Sequence, residues 1–479
     1  MTALRPTTDD KRAHDKRVQS HRASHTPPHH PSRSLPRLTM VGAVAAAVAA
    51  PLIAAPAQAH SGASASTAST ASTASSFVAA GAPVAALPAA PSRDELPLGD
   101  KGLPEKRTVT AVAPGVVRHY IERGETTATP ARIDRTTTGP WRVNAITIDP
   151  KRSNLKLRTT YGPTLMAPET TSALSAYAGA RVAMNASFFN INAPAGLRGD
   201  PVGLAVSAGT VTSEQTGTGA EHNVLIDADR GRLRMGQFTW RGYVEDRKTG
   251  KRRTLAGVNR TPRVPAACTG ENPDAAACAG TKGELVRFSP RYAAATPGGP
   301  GAEAVFGPDG CLVRVSSTRG TRLSSAQFSI QGTGDRAAQI LREAPGSCVR
   351  FDEGVYTSSG EKLGLNKDTY GVTGRYRLVR DGKVISNTGT AQLSGRHPRS
   401  IIGRKADGRI MLVTIDGRRT TSVGASLVEA ARVARSLGMV DAVNLDGGGS
   451  TTMVINNRVI NTVSGSAQRA VGDALVLSR

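Results

Sequence analysis

The stretch Asp441-Ala-Val-Asn-Leu-Asp446-Gly447-Gly448-Gly449-Ser450-Thr451-Thr452-Met453-Val454-Ile455 reads as strand, glycine turn and strand. Val440 to Leu445 is the first apolar strand, and Thr452 to Ile455 is the second. Three consecutive glycines let the backbone pass through positive φ and aim several N–H groups at one point, an arrangement that grips phosphate without a lysine. Ser450, Thr451 and Thr452 add hydroxyls, and Asp446 adds a carboxylate where the strand ends. One reading is a site for an anionic, hydroxyl-rich ligand. The other is a glycine-rich hairpin whose Asp bonds to its own turn.

Working outward, Ser426 to Leu437 is the clearest helix, since Leu427, Ala430, Ala431, Ala434 and Leu437 recur at three and four residues and Gly438 stands ready to end it. Downstream, Asn456-Asn457 marks a tight turn into a returning strand, Arg458 to Ile460. Upstream, Trp141 to Ile148 and Leu155 to Thr159 alternate as half-buried strands do. A short helix over Thr171 to Ala178 leads into a buried strand, Arg181 to Met184, which ends at Asn185. Gly307-Pro308-Asp309-Gly310 and Arg380-Asp381-Gly382-Lys383 are hairpin turns. The expected class is therefore α+β: strand-rich mixed sheets with few helices in one large domain. Strand order does not follow from the pattern.

Further signals lie in Met184-Asn185-Ala-Ser-Phe188-Phe189-Asn190, Arg396-His397-Pro398-Arg399-Ser-Ile-Ile-Gly403, Asp416-Gly417-Arg418 and a late Arg469. Taken in order with Asn-Leu-Asp-Gly-Gly-Gly-Ser, these resemble the phosphodiester glycosidase family, bacterial relatives of the enzyme that uncovers mannose 6-phosphate by removing N-acetylglucosamine from a phosphodiester. The resemblance runs from about Lys106 onward, is dense from Gly371 to the end, and is loose between Gly236 and Gly360. It implies an exported hydrolase that removes an α-linked, N-acetylglucosamine-like sugar from a phosphodiester in a cell-envelope or extracellular glycopolymer, such as a cell-wall polymer or exopolysaccharide. A phosphodiesterase or glycosidase on teichoic-acid-type or other glycans, and a non-catalytic basic wall-polymer-binding protein, are the alternatives.

Cleaving such a bond releases a phosphate monoester whose second ionisation lies near pKa ~6, so proton donation to it matters less than in an ordinary glycosidase. The site needs cationic and N–H donors for the departing phosphate and a carboxylate that faces the sugar or activates water. Asp446 is the first choice for that carboxylate, and Asp416, after the buried strand Ile410 to Ile415, is the second. Arg399 is the first candidate for phosphate, because a guanidinium fork matches two phosphate oxygens. Arg418 and Arg469 support it. Substrate binding is expected from Asn185, Gly447, Gly448, Gly449, Ser450 and Thr451, with Phe188 or Phe189 beneath the sugar ring or in the core. Glu429 is left out of the site, since Ser426-x-x-Glu429 is also a capping box. No contiguous ligand loop argues for a metal, and no cofactor is called for.

Arg33, Arg37 and earlier basic residues precede an apolar run, Leu38 to Ala55, and the small-residue pattern Ala57-Gln58-Ala59, which reads as an export signal over 1–59. Pro51 and the alanine-rich composition make that run a poor membrane span. Residues 60–105 form a Ser/Thr/Ala/Pro linker with too little apolar surface to fold, leaving 106–479 as the folded domain. Cys268, Cys278, Cys311 and Cys348 suit two disulfides in an exported chain. Three pairings exist, with Cys268–Cys278 and Cys311–Cys348 favoured. The net charge is +24, and residues 1–59 contain eight Lys/Arg against three Asp/Glu, so most of the excess belongs to the rest. The basic residues are scattered and aromatics are 4%, which speaks against nucleic acid and for an anionic phosphate polymer as partner.

Overall fold

The structure is a computed structural model that describes residues 95–193, 197–269, 275–385 and 394–479. The export signal and most of the linker lie outside the described residues. Leu96 and Leu98, near the start of the described part, are already buried against the core, so packing begins within the stretch read as linker.

The central element is an eight-stranded sheet in the order Glu105–Ala113, Val116–Arg123, Trp141–Ile148, Ile410–Ile415, Arg399–Lys405, Met439–Asn444, Arg377–Arg380, Lys383–Val384. Its inner strands are apolar on both faces, as strands covered on both sides must be. Odd-numbered residues such as Val143, Met411, Val413 and Ile415 pack under the helix Leu427–Ser436, with Trp141 and Leu98 in the same cluster. Even-numbered Ile146, Ile410 and Leu412 face a second sheet, whose order is Arg458–Val459, Met453–Ile455, Val182–Asn185, Ala474–Ser478, Lys156–Thr160. Each buried Leu or Ile here contributes roughly 2 kcal/mol, so this interface is a main source of stability.

The helix behaves as its sequence suggests. Ser426 accepts from the Glu429 N–H at 3.1 Å, Glu429 returns the bond to the Ser426 N–H at 2.8 Å, and Gly438 takes a φ of 88° beyond the last turn. Asn456 and Asn457 have φ of 52° and 60°, the left-handed pair that a two-residue hairpin needs.

A further body of strands, including Phe238–Asp246, Val349–Thr357, Leu285–Phe288, Ala302–Phe306 and Phe328–Gly332, surrounds its own apolar cluster. It carries both disulfides, Cys268–Cys278 and Cys311–Cys348, paired as favoured. The molecule is strand-rich with few helices, as expected. Its sheets are less mixed than expected: among the described strands every ladder is antiparallel except the two-residue pairing of Gly257–Val258 with Leu285–Phe288. No helix among the described residues is long and apolar enough to cross a membrane.

Candidate active site

Register brings the C-terminal motifs together. Strand Arg399–Lys405 lies between its two neighbours with Ile415 opposite Arg399 and Asn444 opposite Ile401. Asp416 and Asp446 therefore leave the same edge of the sheet, two strand positions apart, which places their backbones roughly 10 Å from each other.

Asp446 is held from below by Asn185. The Asn185 Nδ2 donates to the Asp446 carbonyl at 2.7 Å, and its Oδ1 accepts from Ser400 Oγ at 2.8 Å and the Thr452 N–H at 3.1 Å. The Asp446 N–H donates to the Ala186 carbonyl at 2.9 Å. Both ends of the fully buried Asn185 amide are thus committed. The side chain expected to touch sugar is, in this structure, bonded to the turn that begins at Asp446.

The glycines also act differently from a nest. Gly448 has a φ of 59° and its N–H donates to the Pro398 carbonyl, while the N–H groups of Ser450 and Thr451 donate to the carbonyls of Gly447 and Gly448. These donors close a 3-10 turn over Gly448–Ser450 rather than converging outward. What the glycines provide is close approach. A Cβ at Gly449 would stand 2.4 Å from Nη2 of Arg469, and one at Gly448 would stand 3.2 Å from Nη1 and Nη2 of Arg418. A Cβ at Gly447 would stand 2.6 Å from the Pro398 carbonyl oxygen. Ser450 and Thr451 are buried beneath the turn, with Ser450 Oγ accepting from Arg469 Nη1 at 3.3 Å and Thr451 Oγ1 lying 3.4 Å from Ser400 Oγ.

Arg418 and Arg469 are exposed on this floor. Arg418 adopts a φ of 59°, a conformation that costs a non-glycine residue about 1–2 kcal/mol. Its loop is held there by Ser422 Oγ donating to the Asp416 carbonyl at 2.8 Å and by Gly417 packing against Gly424 and Pro398. The Arg418 guanidinium reaches His397 Nδ1 at 3.2 Å.

A third arginine, unforeseen in the sequence, completes the cluster. Arg375 ends strand Thr369–Arg375 and lies over the Phe188 ring, 4.5 Å from its centroid. Ser187 couples these two segments: its Oγ donates to Asp473 Oδ2 at 2.7 Å and accepts from the Thr373 N–H at 3.1 Å, while its own N–H donates to Asp473 Oδ1 at 2.7 Å. Burial pushes the Asp473 carboxyl up to about 6, with Ser187 opposing the rise. Arg375 carried no signal among so many arginines, and Asp473 none beyond its place after Gly472.

Asp446 is the carboxylate at the centre. Burial pushes it up to about 6, while Ser450, Arg469, Arg375 and the Gly447 N–H draw it back. None of Arg375, Arg418 and Arg469 forms an ion pair within 4 Å among the described residues. Even with exposed Asp134 near enough to act on Arg418, three guanidiniums against Asp446 and Asp134 leave an excess of positive charge, which suits an anion.

The other two expected catalytic residues lie buried beside this cluster. Arg399 is 2% exposed; its Nε donates to the Ala425 carbonyl and its Nη2 to the Gly395 carbonyl, each at 2.8 Å. Burial and the neighbouring Arg418 lower its pKa to about 10. It fastens the loop before its strand to the loop before the helix, and so supports the site from within. Asp416 is likewise 2% exposed, with Oδ2 accepting from the Thr462 N–H at 2.8 Å and Oδ1 buried without a hydrogen-bond partner. Burial pushes it up to about 6, against Thr462, Asn461 and Arg142.

Residues 303–478 match the phosphodiester glycosidase family, a span that contains Arg375, Arg418, Asp446 to Ser450 and Arg469 but not Asn185 or Phe188. An uncharacterised SPbeta prophage-derived protein of Bacillus subtilis (strain 168) is 33% identical over 144 residues, 28% of this chain and 22% of that protein. The human N-acetylglucosamine-1-phosphodiester alpha-N-acetylglucosaminidase is 26% identical over 199 residues, 34% of this chain and 38% of the human protein, and the Bos taurus one is 29% identical over 169 residues, 32% and 29%. The chain thus spans well under half the length of these relatives. A solved Burkholderia pseudomallei K96243 protein superposes with a TM-score of 0.67 at 23% identity, covering 82% of this chain and 100% of that one. A Synechocystis protein superposes with a TM-score of 0.55 at 19% identity, covering 79% and 68%. These likenesses show the fold.

Proposed function

We propose, from the match of residues 303–478 to the phosphodiester glycosidase family, that the protein is an exported hydrolase removing an α-linked, N-acetylglucosamine-like sugar from a phosphodiester in an envelope or extracellular glycopolymer. The observation that carries this is the trio Arg375, Arg418 and Arg469 around Asp446, a cationic cradle with no ion-pair partner among the described residues. In this reading the guanidiniums hold the phosphate as it departs, and negative charge that grows on the leaving oxygen is met by donors already in place. The Asp446 carboxylate faces the positively charged anomeric carbon or takes a proton from the attacking water. Phe188, held by Arg375, packs beneath the sugar ring.

Asn185 and Asp473 act here as positioning residues, the first beneath Asp446 and the second beneath Phe188 and Arg375. Arg399 and Asp416 tie loops to the sheet edge. The two disulfides and the positive charge fit an oxidising, extracellular setting and an anionic polymer.

The test is turnover of an α-N-acetylglucosamine 1-phosphodiester by the purified protein and by Asp446→Asn. Release of free sugar by the first and a loss of at least about a thousandfold in the second supports the reading. Equal turnover by both removes Asp446 from the chemistry.

A further inference from the structure

A second cluster of arginines stands a few residues from the first. Beyond Arg375, Tyr376 turns the chain at a φ of 66°, and Arg377–Arg380 then joins the edge of the large sheet. Arg377 and Arg380 line a cavity of about 600 Å³ together with Arg234, Arg404, His222 and Asp441. Its base is built. Arg377, 8% exposed, pairs with the buried Asp441 and donates to the carbonyls of Val379 and Met235 at 3.0 and 3.1 Å. Asp441 is shared with Arg404.

The charges do not cancel. Two guanidiniums share the Asp441 carboxylate, the other acidic lining residue is Asp381, and Arg234 reaches outward to the exposed Glu361. Arg380 is exposed and pairs with no carboxylate among the described residues. His222 stands at the wall with Nδ1 3.3 Å from the Ala220 carbonyl, and burial first and then Arg377 and Arg380 lower its pKa, so its ring adds no positive charge to the arginines. A neutral sugar would leave the excess charge unmet, whereas a phosphate would receive a fork of donors.

We propose that this cavity is a second phosphate subsite, which holds a phosphodiester further along the same polymer whose terminal sugar lies at Asp446. The inference rests on the hydrolase reading above for its polymer and names the substrate as one with repeated phosphates. The spacing suits this. Five extended residues from Arg375 to Arg380 span at most roughly 16 Å, less after the turn at Tyr376, a distance that a short run of phosphate-linked units covers.

The experiment measures binding of a fluorescent poly(glycerol phosphate) and of a single α-N-acetylglucosamine 1-phosphodiester to the full-length Asp446→Asn protein. Arg380→Gln is compared with Lys248→Gln, which removes one exposed charge from the far end of strand Phe238–Asp246. Arg380→Gln should weaken polymer binding about tenfold and leave the single phosphodiester unchanged, while Lys248→Gln changes polymer binding less than about twofold. Equal effects of the two variants on the polymer, or an equal loss of the single phosphodiester with Arg380→Gln, would overturn the subsite. Binding needs no turnover, so a failed hydrolase assay beside an Arg380-dependent polymer would reject the catalytic reading and leave the subsite standing.

Discussion

The Arg469 guanidinium rests directly on Gly449, where an added Cβ would stand 2.4 Å from Nη2. The glycine is there to admit the arginine, so Gly449→Ala should push Arg469 off the turn. We expect a fall in kcat/KM on a sugar 1-phosphodiester of about a hundredfold, with a stability change within about 1 kcal/mol because Arg469 is exposed. Thermal melts beside steady-state kinetics check both; full activity in the alanine variant would show that this approach is incidental.

Arg469 and Arg399 should separate in the opposite sense to the sequence reading. Arg469→Ala removes an exposed cation from the cradle and should lower kcat/KM by about a hundredfold while the melting curve stays in place. Arg399→Ala strands the carbonyls of Ala425 and Gly395 in a buried loop, at about 3 kcal/mol or more, and should show first as a loss of folded protein in denaturant titration.

Which parts of this were legible depends on how locally each is determined. The helix after Ser426 and the strands Trp141–Ile148 and Ile410–Ile415 are written in their own periodicity and caps. The pairing of Trp141–Ile148 with Ile410–Ile415 crosses some 260 residues, and nothing in either strand names its neighbour. Asn185 stood out as a polar residue ending an apolar strand, but sugar contact and a clamp on Asp446 need the same amide. Only the positions of Ser400, Thr452 and the Asp446 carbonyl decide between them. The burial of Arg399 was hidden for a related reason: its guanidinium donates to the backbone carbonyls of Ala425 and Gly395, which have no sequence signature.

The clamp gives its own prediction. Asn185→Ala deletes three hydrogen bonds at a buried site and should cost about 3 kcal/mol, with kcat falling more than KM rises, since the residue positions Asp446 without touching substrate. A pure rise in KM at constant kcat would restore Asn185 as a sugar-binding residue.

Acidity should act on stability and rate in opposite directions. Asp416 and Asp473 are held at about 6 by burial against an ordinary value of 3.8, so the unfolded chain releases these protons first as pH rises. Their stabilising effect is complete below about pH 4 and fades through pH 6, by up to about 3 kcal/mol each. Melting temperatures from pH 4 to 7.5 should therefore decline less steeply in Asp416→Asn than in the parent; parallel curves would contradict this. The Asp446 carboxyl, at about 6, acts ionised, so kcat/KM should climb through pH 6 and then level off.

The most direct measurement is hydrolysis of an α-N-acetylglucosamine 1-phosphodiester in ¹⁸O-labelled water, with mass spectrometry of both products. Label in the released sugar is the predicted result and means that water attacked the anomeric carbon, with the phosphate as leaving group. Label in the phosphate would place the cleavage at phosphorus and contradict the glycosidase reading.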